Sequence, residues 1–168
     1  MTREFTYSCH TCGELHVGIP SFGADYPLEY LLVPDEDRAG RTQLTADTCV
    51  IDDNTYFVRG CVEIPVRGYE DPLVWGVWVT LSEKNFCIFT DTLNQEGRER
   101  HGPFFGWLTT VPPGYPDALL KTRVHVRPLP ERPWIELEPT QHPLAVDQRH
   151  GIEPERVAEI VDMVLHRL

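Results

Sequence analysis

At 168 residues the chain has the length of one domain with a full-sized core, and its net charge of −11 argues against a non-specific nucleic-acid binder or a protein that docks on anionic membranes. Hydrophobic residues make up 41% and charged residues 24%, ordinary proportions for a soluble globular protein, and the acidic balance is compatible with a basic protein partner. No apolar run approaches the ~20 residues of a membrane span, and Met1-Thr-Arg-Glu-Phe lacks the apolar core of a signal peptide, so the expected setting is cytoplasmic.

Residues 5–20, FTYSCHTCGELHVGIP, form a cysteine-rich opening. Cys9-His10-Thr11-Cys12-Gly13 has the spacing of a metal knuckle: two thiolates two residues apart can share one ion, and the glycine lets backbone amides turn towards the sulfurs. One C-x-x-C is a half-site, because structural zinc takes four ligands. Cys9, Cys12, His16 and Cys49 are the expected set, with His10 and Cys61 in reserve. Reduced cysteines without a metal, and redox chemistry, remain open alternatives. The chain has five cysteines, an odd number that suits metal or free thiols better than a disulfide framework.

Residues 20–46 are rich in proline, glycine and acidic groups and read as an ordered surface excursion, with a short helix or turn at Pro27–Val33 and a polar one at Asp35–Arg41. Cys49 and Ile51 lie on a short strand, and Asp52-Asp53-Asn54 turns the chain into Tyr56. The stretch Tyr56–Leu81 then predicts two long strands joined at Arg67–Pro72. In the first, Tyr56, Val58, Val62, Ile64 and Val66 alternate with Phe57, Arg59, Cys61, Glu63 and Pro65. The second, Leu73–Leu81, is apolar on both faces and so should be central.

Ser82 reads as the N-cap of a helix running through Phe86, Phe89 and Leu93 to a stop near Gly97, with Cys87 as a packing residue. After the charged stretch Arg98–His101, Phe104–Leu108 is an expected strand and Val111–Pro116 a proline-fixed loop. Leu119–Arg127 and Trp134–Glu138 read as paired strands, with Val124, Val126, Ile135 and Leu137 turned to the core. Arg123, His125, Arg127, Glu136 and Glu138 face away, in position for a cross-strand ladder of charges. Pro143 opens a helix that Gly151 ends, and His142 reads as a turn or cap residue. Pro154 starts a last helix whose stripe is Val157, Ile160, Val161, Val164, Leu165 and Leu168, with Asp162 off it. His101, His150 and His166 read as surface.

The expected fold is α+β: an antiparallel sheet of about five strands with helices packed on one face and a cysteine-rich N-terminal segment. It forms a single domain, with the knuckle in residues 1–20, the sheet core and one helix in 47–138, and the C-terminal helices in 143–168.

Several motifs together resemble one bacterial family, catalogued as a domain of unknown function (number two-one-nine-nine). They are Cys9-x-x-Cys12-Gly13-x-x-His16, Asp47-x-Cys49-x-Ile51-Asp52, Arg59-Gly60-x-x-Glu63-Ile64-Pro65 and Trp75-Gly76-Val77-Trp78-Val79-x-Leu81-Ser82. Lys121-Thr122-x-Val124-His125 and Glu136-Leu137-Glu138-Pro139-Thr140-x-His142-Pro143-Leu144-Ala145 complete the match. The resemblance spans nearly the whole chain. It implies a single domain in a cytoplasmic bacterial setting and supplies no activity, substrate or catalytic residue.

A second candidate site is the polar sheet face, where Arg59, Glu63, Arg123, His125 and Glu136 would share one surface able to take a small anionic or zwitterionic ligand. A solvated ladder of ion pairs is the plain alternative. Cys61 beside Arg59, with His125 as base, would be the thiol-enzyme arrangement. No nucleophile elbow, phosphate loop, H-E-x-x-H or G-x-G-x-x-G is present. The first reading is therefore a non-enzymatic binding domain with a structural zinc knuckle. Its rivals are a small-molecule-binding or thiol enzyme using the Arg/His/Glu face, and an acidic inhibitor or immunity-like protein that binds a basic partner.

Overall fold

The computed structural model describes residues 3–166. The first part of the chain forms β1 (Thr6–Ser8), β2 (Leu15–Val17), β3 (Ser21–Gly23), α1 (Leu28–Leu32), α2 (Asp35–Arg41), β4 (Thr42–Leu44) and β5 (Thr48–Ile51). The rest forms β6 (Thr55–Ile64), β7 (Leu73–Leu81), α3 (Glu83–Asp91), β8 (Phe104–Leu108), β9 (Leu120–His125), β10 (Trp134–Leu137), α4 (Pro143–His150) and α5 (Pro154–His166).

β6 and β7 pair antiparallel from Tyr56 opposite Leu81 to Ile64 opposite Leu73. Period-two alternation buries Val58, Val62 and Ile64 on one face, where Leu73, Val77 and Val79 join them. β8, β9 and β10 continue as an antiparallel meander, and Trp134 of β10 bridges in parallel to Cys61 of β6. The ring β6-β7-β8-β9-β10 is a five-stranded barrel. An odd number of up-and-down strands leaves the first and last pointing the same way, so the closing contact has to be parallel. Gly60 makes room for it: a Cβ there would lie 2.6 Å from Ile135 Cδ1, while Cys61 N–H donates to the Pro133 carbonyl at 2.8 Å.

The α+β class and the roughly five-stranded antiparallel sheet thus describe the ring. Three further strands widen the wall to eight. β5 and β4 extend the first half of β6, and β3 runs parallel to Val74–Gly76 of β7. The β5–β6 turn falls at the expected aspartates, and Asp52 and Asp53 both take a left-handed φ of 53°.

Two apolar clusters lie on opposite sides of β6 and β7. The larger fills the barrel interior and its helical cover, with Phe86 and Phe89 from α3, Leu144 and Ala145 from α4, and Val157, Ile160 and Val161 from α5. The smaller lies outside the wall, where Cys49, Ile51, Phe57 and Trp78 are roofed by Tyr30 and Val33. The two short helices of the excursion therefore cover the side that α3, α4 and α5 do not.

The caps follow their sequence signals. Ser82 Oγ accepts from Asn85 N–H at 3.2 Å, and His142 Nδ1 accepts from Leu144 N–H at 3.2 Å ahead of Pro143. Gln148 of α4 reaches back to β10, accepting from Leu137 N–H and donating to the Ile135 carbonyl, both at 2.8 Å. α3 stops at Asp91 rather than near Gly97. Cys87 is exposed rather than packed, because Phe86 and Phe89 take the inward side of that helix. On α5 the stripe holds through Val161, Val164 packs at the margin, Leu165 is 51% exposed, and Leu168 lies outside the described residues.

A candidate metal centre and a polar barrel face

The N-terminal hairpin is too small to stand on apolar burial. β1 and β2 have three residues each, and Leu15 and Val17 are 65% and 58% exposed. Its anchor is Phe5, buried against Tyr69 with ring centroids 5.2 Å apart. Between the strands the chain turns through Cys9–Gly13, closed by Gly13 N–H to the Cys9 carbonyl at 2.9 Å, with Gly13 at a φ of 73°. That turn aims the backbone amides of Cys12 and Thr11 at the Cys9 sulfur and holds its thiol below the usual range. The Glu14 amide acts on Cys12 in the same sense, but burial and the neighbouring Cys9 outweigh it and leave Cys12 raised.

The last turn of α5 meets this turn. Cys9 Sγ lies 3.1 Å from His166 Nε2, and Cys9, Cys12 and His166 offer ligand atoms all within 4.8 Å of one another. Cys9 is buried, while Cys12 and His166 are exposed. This group could coordinate a metal ion. One turn earlier on α5, Asp162 accepts from Thr11 Oγ1, and the Cys9 thiol donates to it at 3.8 Å. His16 sits on β2 with Nε2 3.6 Å from Cys12 Sγ and its ring stacked on Tyr7 at 5.0 Å.

His166 lies on the surface as its sequence reading had it, yet it also joins the knuckle. It is exposed, but the chain delivers it to the knuckle from the far end of the sequence, and only its place in the final helical turn hints at that. Cys49 lies elsewhere. It is fully buried on β5 in the outer apolar cluster, and burial, aided by the negative charge of Glu29, pushes its thiol up to about 11. Cys61 is likewise raised by burial, although Arg127, Arg132 and Arg59 pull the other way.

Strand pairing turns Glu63, Arg123, His125 and Glu136 to the outer face of the barrel. Register places Trp134 between His125 and Cys61, and Glu136 opposite Arg123. His125 Nε2 meets Glu136 Oε1 at 3.2 Å, and its ring leans on Trp134 with centroids 4.8 Å apart. Glu63 accepts from Arg127 at 2.7 Å. Arg59 turns the other way, over the Trp78 ring at 5.8 Å and towards Asp25 at 3.5 Å, while Arg123 is exposed. Half-exposed pairs of this kind contribute about 0–1 kcal/mol each. The thiol-enzyme geometry is not formed: Cys61 and His125 are two strands apart with Trp134 between them, about 10 Å by strand spacing.

Sequence reasoning also passed over Arg98. It is 6% exposed, and its guanidinium donates to the carbonyls of Arg127 at 2.8 Å, Leu93 at 2.7 Å and Glu131, pinning the loops below the barrel. No helix among the described residues is long and apolar enough to cross a membrane.

Against known proteins, residues 8–152 match the model of a family described as "Uncharacterized protein conserved in bacteria (DUF2199)". No curated protein and no solved structure matches. The matched span holds Cys9, Cys12, His16 and the whole barrel and ends before α5, so His166 falls beyond it. The chain belongs to the DUF2199 family.

Proposed function

We propose that this bacterial protein is a non-enzymatic binding domain in which a structural zinc ion staples the N-terminal hairpin to α5, held by Cys9, Cys12, His166 and His16. The observation that carries the reading is the approach of His166 to Cys9 at 3.1 Å beside Cys12. With Zn–S near 2.3 Å and Zn–N near 2.0–2.1 Å, a tetrahedral site has S–N edges of about 3.6 Å. The Cys12–His16 contact of 3.6 Å matches that edge, and the Cys9–His166 contact falls slightly inside it. His16 becomes the fourth ligand by turning from its stack on Tyr7. The hairpin buries little, so the ion supplies the cross-link that packing does not. Cys49 takes no part and serves as wall packing. A cytoplasmic setting keeps these thiols reduced.

The separation of Cys61 from His125 supports binding over thiol catalysis. Arg127 and His125 on the polar face already have carboxylate partners. A basic protein partner therefore suits that face and the net charge of −11 better than a small anion does.

Elemental analysis of protein purified without added metal tests the staple. About one zinc per chain is expected, lost in Cys9→Ser and in His166→Ala and kept in Cys49→Ser. Folded, metal-free protein, or zinc that depends on Cys49 and ignores His166, overturns it.

A further inference from the structure

β7 changes partner halfway along its outer edge. β3 pairs with Val74–Gly76, and β8 pairs with Val79 and Thr80. β3 runs parallel to β7 and β8 antiparallel, so both flanking strands end at the gap, at Gly23 and Leu108, and their chains then part. Among the described residues Val77 and Trp78 have a strand partner only on the β6 side. A cavity of 290 Å³ opens at this split, roofed by Ala24 and Tyr26–Glu29 on one side and Thr109–Pro113 on the other. Gly23 and Gly76 form its tight edge: a Cβ on either would stand 3.2 Å from the other's Cα.

The lining mixes aromatic rings with proline, valine and threonine side chains. Phe22 and Trp75 lie with centroids 5.3 Å apart, and Trp78 and Tyr26 complete the walls. Two buried polar atoms on lining residues have no hydrogen-bond partner, Trp75 Nε1 and Glu29 Oε2. Trp75 is 3% exposed, so water does not serve its N–H freely. Trp78, by contrast, spends its N–H on the Ala24 carbonyl at 3.0 Å. Unmet donors and acceptors are costly when buried and are uncommon in folded proteins without a reason. Glu29 also has no ion-pair partner among the described residues. An unmet carboxylate oxygen calls for a donor, and aromatic faces favour a cation.

We propose that this cavity binds a small organic ammonium ion, its N–H on Glu29 Oε2, its apolar body between the aromatic rings, and an acceptor atom on Trp75 Nε1. The volume sits at the lower limit of small-molecule sites, which restricts the ligand to about the size of an arylethylamine. The acidic charge of the chain favours a cation at long range. The inference rests on reading the chain as a binding domain and is independent of the zinc.

The test uses the full chain and three probes: phenethylammonium, its 4-methoxy derivative and neutral 2-phenylethanol. Titration is followed by calorimetry and by the indole N–H resonances. The ammonium ions are expected to bind at least about tenfold tighter than the alcohol, the methoxy ether binding the more tightly of the two and giving the larger shift of the Trp75 N–H. Glu29→Gln should remove the charge preference and leave the alcohol unchanged, and Trp75→Phe should remove the methoxy advantage. No binding by folded protein, equal binding of ammonium and alcohol, or indifference to Glu29→Gln overturns the assignment. Zinc content measured on the same samples reports the staple separately, so either idea can fail alone.

Discussion

Two cysteines lie on the N-terminal hairpin and two on the barrel wall. On the hairpin, the amides of a tight turn face the sulfur of Cys9, and a histidine from α5 stands 3.1 Å away. On the wall, Cys49 and Cys61 sit among strands whose amides are already spent on the sheet, and burial pushes both thiols up. The side chain is the same, and the surroundings set the Cys9 thiol apart from both wall thiols. Sulfur near free amides and a histidine nitrogen can coordinate a metal, whereas sulfur in a dry wall is a small apolar group. The two regions also differ in what holds them. The barrel carries its own core, while the hairpin has Phe5 as its buried anchor.

The largest expected effect comes from the element the two regions share. Ile160 is fully buried on α5, between the barrel core and the turn that carries His166. Ile160→Asp buries an unpaired charge and should cost about 4–5 kcal/mol, much of a typical domain stability. Thermal unfolding checks it. A variant that melts within a few degrees of the parent would mean that α5 is a surface attachment and not part of the core.

Next comes Cys9→Ser, which should separate the regions. Hairpin amides should lose protection in hydrogen exchange, and the melting temperature should fall to that of chelator-treated parent. Amides of β6 and β7 should keep their protection, because their partners and cluster are untouched. Equal loss in both regions would break the comparison.

Thiol labelling sharpens it without a substitution. In chelator-treated protein Cys12 and Cys87, both exposed, should react with a maleimide first, Cys61 slowly, and Cys49 only on the timescale of unfolding. Rapid labelling of Cys49 in folded protein would show that the outer cluster opens.

Much of the barrel was legible in the sequence because its strands alternate. Val58, Val62 and Ile64 against Arg59, Cys61 and Glu63 define β6, and the facing of Leu119–Arg127 with Trp134–Glu138 appears as the His125–Trp134 and Arg123–Glu136 register. Closure was not legible. It depends on a parallel bridge at Trp134 and on the missing side chain of Gly60, and neither leaves a periodic trace. The knuckle was legible from Cys9 to His16, where the ligands are neighbours in sequence. His166 was not, because no local pattern says which turn of α5 will meet which loop. Cys49 was drawn into the expected ligand set by residue type, and its burial is a property of the fold.

The smallest expected effect lies on the wall extension, at the β5–β6 turn. Arg41 donates to both carboxylate oxygens of Asp52, at 2.8 and 2.9 Å, and this pairing holds the Asp52 carboxyl below its ordinary value of 3.8. A carboxyl lowered on folding adds stability above its unfolded pKa, and that share is lost as the pH falls through the lowered value. Arg41→Gln should therefore leave a slightly less stable protein at neutral pH whose difference from the parent vanishes in acid below the lowered value. The pair is solvent-exposed, so the change should be small beside those of Ile160 and Cys9 and should shrink further in high salt. Unfolding curves of the two proteins at neutral and acid pH decide it. A difference that persists or grows in acid would mean that Arg41 acts through the packing of α2 against β4 and not through the charge of Asp52.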